Sequence, residues 1–176
     1  MKPFIEFVSI LNEAAVSRFV SKLDNHAIGI ITGWRSCRTK DDNRKRNIAL
    51  AKELTSTGFQ YYKSKGRFIE NYGSKGNERP VDEESFIVFG AKPDPIEDKR
   101  LRVELERLGR KYNQDAILFK DVKKDAILIR TQEFDSDCNI GTPIDEPYEK
   151  SIGKLKFKPD VMQTIMKGKI FSFSID

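Results

Sequence analysis

The sequence predicts an α/β domain: one mixed β-sheet flanked by helices. Three observations predict it. Apolar, β-branched runs of strand length alternate with longer segments whose apolar residues recur at helical spacing. Two near-copies, Asp115-Ala-Ile-Leu-Phe-Lys120 and Asp125-Ala-Ile-Leu-Ile-Arg130, flank Asp121-Val122-Lys123-Lys124 and read as a hairpin, which adds an antiparallel part. The 176 residues suit a single domain. A chain of that size buries about 70% of its unfolded surface and needs no covalent staple.

Phe4 to Val8 reads as a short strand or an apolar lead-in, and Asn12 caps a helix from Glu13 to about Leu23. Ala27-Ile-Gly-Ile-Ile-Thr32 is continuous and β-branched, which suits a central strand buried on both faces. Thr39 or Asp41 opens a helix to about Thr57, stopped by Gly58 at C′. Its inward stripe is Asn43, Asn47, Leu50, Ala51 and Leu54. Phe59 to Tyr62 follows as a strand that Arg67 to Tyr72 either continues or pairs with. Gly73 to Asn77 is a loop, and Glu84 to Gly90 is a second apolar strand. Lys92-Pro-Asp-Pro95 stiffens the entry to a helix from about Ile96 to Tyr112, with Leu101, Leu105, Leu108 and Tyr112 inward. After the hairpin come an acidic loop over 132–150 and a C-terminal extension of the sheet over 151–176. The extension holds Leu155 to Phe157, a short helix near Pro159 to Met166, and a strand from Ile170 to Ile175. The core unit is 26–131.

Charge is distributed unevenly. From Trp34 to Arg67, ten basic residues face three acidic ones, a net +7 inside a chain of +5; Gln132 to Glu149 carries six acidic residues and no Lys or Arg. Basic residues interleaved with Trp34, Phe59, Tyr61, Tyr62 and Phe68 suit a phosphate backbone and stacked bases. A solvated helix face produces the same pattern and is the commoner origin of a charge run. No run approaches the ~18 apolar residues of a spanning helix, so no membrane partner is expected. Cys37 and Cys138 lie in no paired motif, as in a reduced cytosolic chain. The single histidine, His26, excludes a His-rich metal site, and the acidic loop lacks the Gly and Glu of a calcium loop.

Candidate chemistry gathers at two places. The loop after the central strand, Gly33 to Thr39, leads into a helix N-terminus, where Arg35, Ser36, Arg44 and Arg46 would contact phosphate. Asn43, Asn47, Ser85 and Gln114 would hydrogen-bond the ligand. Two asparagines on a buried helix face each need several partners, whether ligand or neighbouring backbone. The second place is acidic: Glu70 and Glu84 approach if their strands pair, and with Asp115 they would serve as acid–base or metal groups. An ion pair with a nearby cation is the plainer reading of those carboxylates.

Several segments together resemble a family of small, uncharacterised proteins of tailed phages and bacterial genomes. They are Ile30-Ile-Thr-Gly-Trp34, Asn43-Arg-Lys-Arg-Asn47, Gly66-Arg-Phe-Ile-Glu-Asn-Tyr72, Glu83-Glu-Ser-Phe-Ile-Val88 and Leu108-Gly-Arg-Lys-Tyr-Asn-Gln-Asp-Ala116. The resemblance implies a phage or prophage source and host cytoplasm as the location, with the virion as the alternative. It brings no activity and no cofactor.

The function expected from charge is therefore an accessory protein binding nucleic acid or a nucleotide. The alternatives are a nucleotide- or nucleic-acid-processing enzyme with paired carboxylates, and a virion component or inhibitor docking on a host protein.

Overall fold

The computed structural model describes residues 21–22, 25–70, 79–131, 149–153, 155–156, 162–166 and 169–173. The expected N-terminal strand, the expected helix up to residue 20, the loop over 73–77 and most of the acidic loop lie outside the described residues; of that helix, residues 21–22 are described and are helical. The elements are β1 (Ile28–Ile31), α1 (Lys40–Ser56), β2 (Gln60–Glu70), β3 (Arg79–Phe89), α2 (Pro95–Lys111), β4 (Ala116–Lys120) and β5 (Ala126–Arg130). Then come β6 (Glu149–Gly153), β7 (Leu155–Lys156), β8 (Met162–Met166) and β9 (Lys169–Phe173).

These strands form one sheet in the order β6-β5-β4-β1-β3-β2-β8-β9-β7. The α/β class holds, but the sheet is antiparallel at every described pairing rather than mixed. The reason is insertion. The β1–α1–β2 crossover leaves β1 and β2 pointing the same way, and β3 folds back between them. Likewise β3–α2–β4 yields two like-directed strands with β1 between them. Both crossovers are split βαβ units, so helix–strand alternation in sequence does not produce parallel neighbours.

Both helices pack on one face. Leu50 and Leu54 of α1 and Leu101, Leu105 and Leu108 of α2 share one buried cluster with Ile31, Phe86, Val88, Ile117, Phe119 and Ile129. Each fully buried leucine contributes roughly 1.5–3 kcal/mol, so this cluster dominates the helices' attachment. Gly29 lets α2 approach closely: a Cβ there would lie 1.9 Å from Leu105 Cδ1.

Local chemistry sets the helix ends. Thr39 caps α1 by accepting from the Asp42 N–H, and Gly58 follows the helix at φ +79°. Asp94 caps α2, accepting from Ile96 and Glu97 N–H at 2.9 Å each, with Pro95 in the first turn.

One open alternative is decided and one expectation changes. Positions 60–70 form one uninterrupted strand. The short helix expected near Pro159 to Met166 is instead strand β8 over Met162–Met166, paired with Lys65–Phe68 of β2.

Candidate functional site

Beyond Ile31 the chain leaves the sheet, and the next residues find partners in side chains. Gly33 N–H donates to Asn47 Oδ1 at 2.7 Å, and Gly33 O accepts from Arg46 Nε at 2.7 Å. Trp34 N–H donates to Thr32 Oγ1 at 3.0 Å, and Trp34 O accepts from Gln114 Nε2 at 3.2 Å. Arg35 N–H donates to Asn43 Oδ1 at 2.8 Å, and Arg35 O accepts from Asn43 Nδ2 at 2.9 Å. Every backbone polar group from Gly33 to Arg35 is thereby satisfied, as a buried segment requires.

The geometry explains the residue types. Asn43 and Asn47 are four apart on α1, a rise of about 6 Å. Gly33 and Arg35 are two apart in extended chain, about 6.7 Å. The two amides thus act as an artificial strand edge for the loop. Gly33 is required because a Cβ would lie 2.9 Å from Asn47 Oδ1 and 3.1 Å from the Arg46 carbonyl carbon. Glu84 O, at the head of β3, accepts from Asn47 Nδ2 at 3.0 Å and Thr32 Oγ1 at 2.7 Å, locking β3 to the same loop.

A charged flank completes the arrangement. Arg35, 7% exposed, donates from Nη1 to Asp115 Oδ1 at 2.9 Å, while Asp115 stays 38% exposed. The Arg46 guanidinium also donates to Tyr112 O and lies 5.8 Å from the Tyr112 ring centroid. Tyr112 Oη donates to Glu53 at 2.7 Å, and Lys111 Nζ donates to the other Glu53 oxygen at 2.9 Å. Burial and the hydrogen bond to Glu53 push the Tyr112 hydroxyl well above its ordinary range. Burial pushes Glu53 up, but hydrogen bonds from Tyr112 and Lys111 outweigh it and hold the carboxyl below its ordinary value.

The structure brings Arg35, Asn43, Arg46, Asn47, Gln114, Asp115 and the Glu84 backbone together. It gives Asn43, Asn47, Arg46 and Gln114 partners in the chain's own backbone. Ser36 and Arg44 are exposed and outside this network. Ser85 is buried, on the sheet face opposite Glu84, and its carbonyl accepts from Ser64 Oγ at 3.4 Å.

The Glu70–Glu84 dyad does not form. Glu70 stands opposite Arg79 and Glu84 opposite Lys65. Five residues along the strand separate the two positions, about 17 Å. Cys37 is disulfide-bonded, so the expected reduced thiol is absent. Among the described residues, no group of three or more His, Cys, Asp or Glu is placed to hold a metal ion.

Sequence reasoning missed Thr32 and Thr131. Thr131 N–H donates to Asp115 O at 3.0 Å, and its hydroxyl donates to Gln114 O. Both threonines directly follow an apolar strand, the signal that would have found them. Two carboxylates, Glu84 exposed and Asp115 half-buried, remain at this end of the sheet on a rigid frame.

The model of the S-adenosylmethionine lyase family matches residues 29–174, and the chain belongs to this family. None of the curated proteins compared with the chain matches it. The expected resemblance to a family of small domains stands in that coarse form. The family match overturns the reading of a non-enzymatic protein that binds a phosphate-bearing ligand. That reading rested on a net +7 segment, and Lys40, Arg44, Lys45, Lys52 and Lys63 within it are exposed, as on a solvated face. The enzyme alternative lies closer.

Proposed function

We propose that the protein is an S-adenosylmethionine lyase, breaking a carbon–sulfur bond of that sulfonium without water or oxidant. The observation that carries the reading is the family match over residues 29–174. A sulfonium already carries a good leaving group, a neutral thioether: the bonding pair departs to sulfur as a lone pair, and when the methionyl arm is released its own carboxylate forms the new bond to the carbon left behind, so the step balances without water. The enzyme's task is to hold the cation, orient it and exclude water, rather than to activate it strongly. Carboxylates complement the substrate's positive charge, and Glu84 and Asp115 on the fixed β1–α1 frame are the groups we assign to that role.

Incubation with S-adenosylmethionine and no methyl acceptor, followed by chromatography, tests the reading. Stoichiometric methylthioadenosine is expected if the methionyl arm is released; methionine would mark cleavage on the ribose side. Glu84→Gln should lower kcat/KM about tenfold or more, because the substituted side chain is exposed while the structural bonds use the backbone carbonyl. An intact substrate pool after prolonged incubation overturns the assignment. A phage or prophage source and a host-cytoplasm location belong to the same proposal. Among the described residues, no helix is long and apolar enough to cross a membrane.

A further inference from the structure

Positions 149–156 occupy both ends of the sheet. β6 (Glu149–Gly153) is one terminal strand and β7 (Leu155–Lys156) the other, yet a single residue separates them in sequence. Gly153 and Leu155 can lie no more than about 7 Å apart. In an open sheet, eight interstrand spacings would hold β6 and β7 roughly 38 Å apart. One ladder joins Glu149–Gly153 to β5, and the other joins Leu155–Lys156 to β9. A single open sheet cannot hold both.

Strand direction agrees with closure. Every described pairing is antiparallel, so direction reverses at each of the eight steps from β6 to β7. Eight reversals restore the starting direction, and the chain runs from β6 into β7 without turning back. An odd number would have required one residue, Lys154, to reverse the chain, which takes a loop of at least about two residues. The register also breaks where closure needs a bend. Ala126 pairs with Gly153 and Ile127 with Ser151, which leaves Ile152 as an extra residue in β6. Such a bulge bends its strand, and glycine beside it suits the corner of a barrel.

The sheet face turned away from α1 and α2 is buried as well. Ile28, Ile87, Phe89 and Leu118 share that face by register, and none is more than 3% exposed. The helices pack on the other face, against Ile31, Phe86, Val88, Ile117 and Phe119. Rolling the sheet turns the first face inward, and side chains fill a barrel of eight strands. On the helix side, the Arg102 guanidinium of α2 donates to Glu149 at the head of β6, while its Nε donates to Glu106 at 2.9 Å.

We infer that the sheet closes on itself as an eight-stranded antiparallel barrel, with 149–156 as one strap that pairs with β5 along one side and with β9 along the other. This holds whether or not the protein cleaves S-adenosylmethionine. The strap guards two edges at once. While it is seated, neither β5 nor β9 offers an open edge; once released, it exposes both to pairing with another chain.

Nuclear magnetic resonance on the full chain tests the closure, because facing residues of an antiparallel ladder bring their Cα protons into contact. Mixing isotope-labelled with unlabelled protein separates contacts within one copy from contacts between copies. Ala126–Gly153 and Leu155–Phe173 contacts are both expected, within one copy of a monomer. Absence of either ladder overturns the closure. A ladder that forms between copies overturns it too, and makes the strap a bridge between two chains. Ser151→Pro tests whether the strap acts as one piece. Ser151 pairs with Ile127 of β5, so an effect on β9 has to travel along the strap. Amide exchange at residues 172–173 should quicken about tenfold or more in this variant. Ser151→Ala, which keeps the amide, is the control. Exchange at 172–173 that stays at the wild-type rate overturns the single strap. If the proline variant does not fold, the wild-type contacts decide alone.

Discussion

Replacing Asn47 with alanine is the sharpest probe of the β1–α1 junction. Asn47 is 4% exposed, and its amide serves two backbone groups on different elements. Truncation leaves Gly33 N–H buried without an acceptor, which costs about 1–3 kcal/mol. Glu84 O keeps its bond from Thr32 Oγ1, so that loss is only the net worth of one hydrogen bond, about 1 kcal/mol. The sum is about 2–4 kcal/mol, or ~5–15 °C in Tm for a domain this size. Urea unfolding followed by circular dichroism measures it. Asn43→Ala should cost a similar amount, and the double variant less than the sum, because the amides hold neighbouring residues of one loop. A loss below about 0.5 kcal/mol for Asn47→Ala would show that the loop does not depend on the helix for its hydrogen bonds.

Two neighbouring arginines should part company. Arg44→Ala should leave Tm within about 1–2 °C, since Arg44 is exposed, whereas Arg46→Ala should cost about 2 kcal/mol by orphaning the Gly33 carbonyl and leaving the Tyr112 carbonyl only its bond from Gln114 Nε2. Thermal melts of both variants check this, and equal effects would contradict it. Asp98→Asn should raise Tm at neutral pH by about 2–4 °C. Asp98 is 8% exposed with Oδ1 unpartnered, and burial, then the charges of Asp121 and Asp94, push its carboxyl above the ordinary value against the opposing Lys124 and the Val122 N–H. The ionised form is therefore the one the fold penalises. That penalty is fully present above the raised folded value and absent below the unfolded one near 3.8. The advantage of the asparagine should accordingly shrink as melts are repeated toward pH 3.5; a gap independent of pH would refute the assignment.

Local patterns carried the elements well and their neighbours poorly. The stripe Asn43, Asn47, Leu50, Leu54 was readable because helical spacing is written in the residues themselves, and all four are buried. What the asparagines bond to was not readable: Gly33, Arg35 and Glu84 are brought to them by folding. Strand order was unreadable for the same reason, since nothing in Ala27 to Thr32 says that β3 rather than β2 lies beside it. Glu70 and Glu84 looked like a pair on the assumption that their strands paired, but register decides the distance. Met162–Met166 looked helical after Pro159, and its partner strand lies about a hundred residues earlier. The activity class was least readable, because a single histidine and scattered carboxylates match no spacing rule.

The position of β1 has a consequence for how the chain comes off the ribosome. It is an early strand, yet its partners are among the later ones: Ile31 pairs with Phe86, and Ile30 pairs with Leu118, about ninety residues downstream. At ~5–20 residues per second, an apolar run at the centre of the final sheet waits roughly 5–20 s for its second neighbour to be synthesised. During that interval α1 and β2 already exist but have no completed sheet centre to pack on. Assembly is gated by the arrival of β4, so truncation before residue 120 leaves β1 with one open edge. Nascent chains stalled there should be chaperone clients, whereas chains extended past β5 should resist protease.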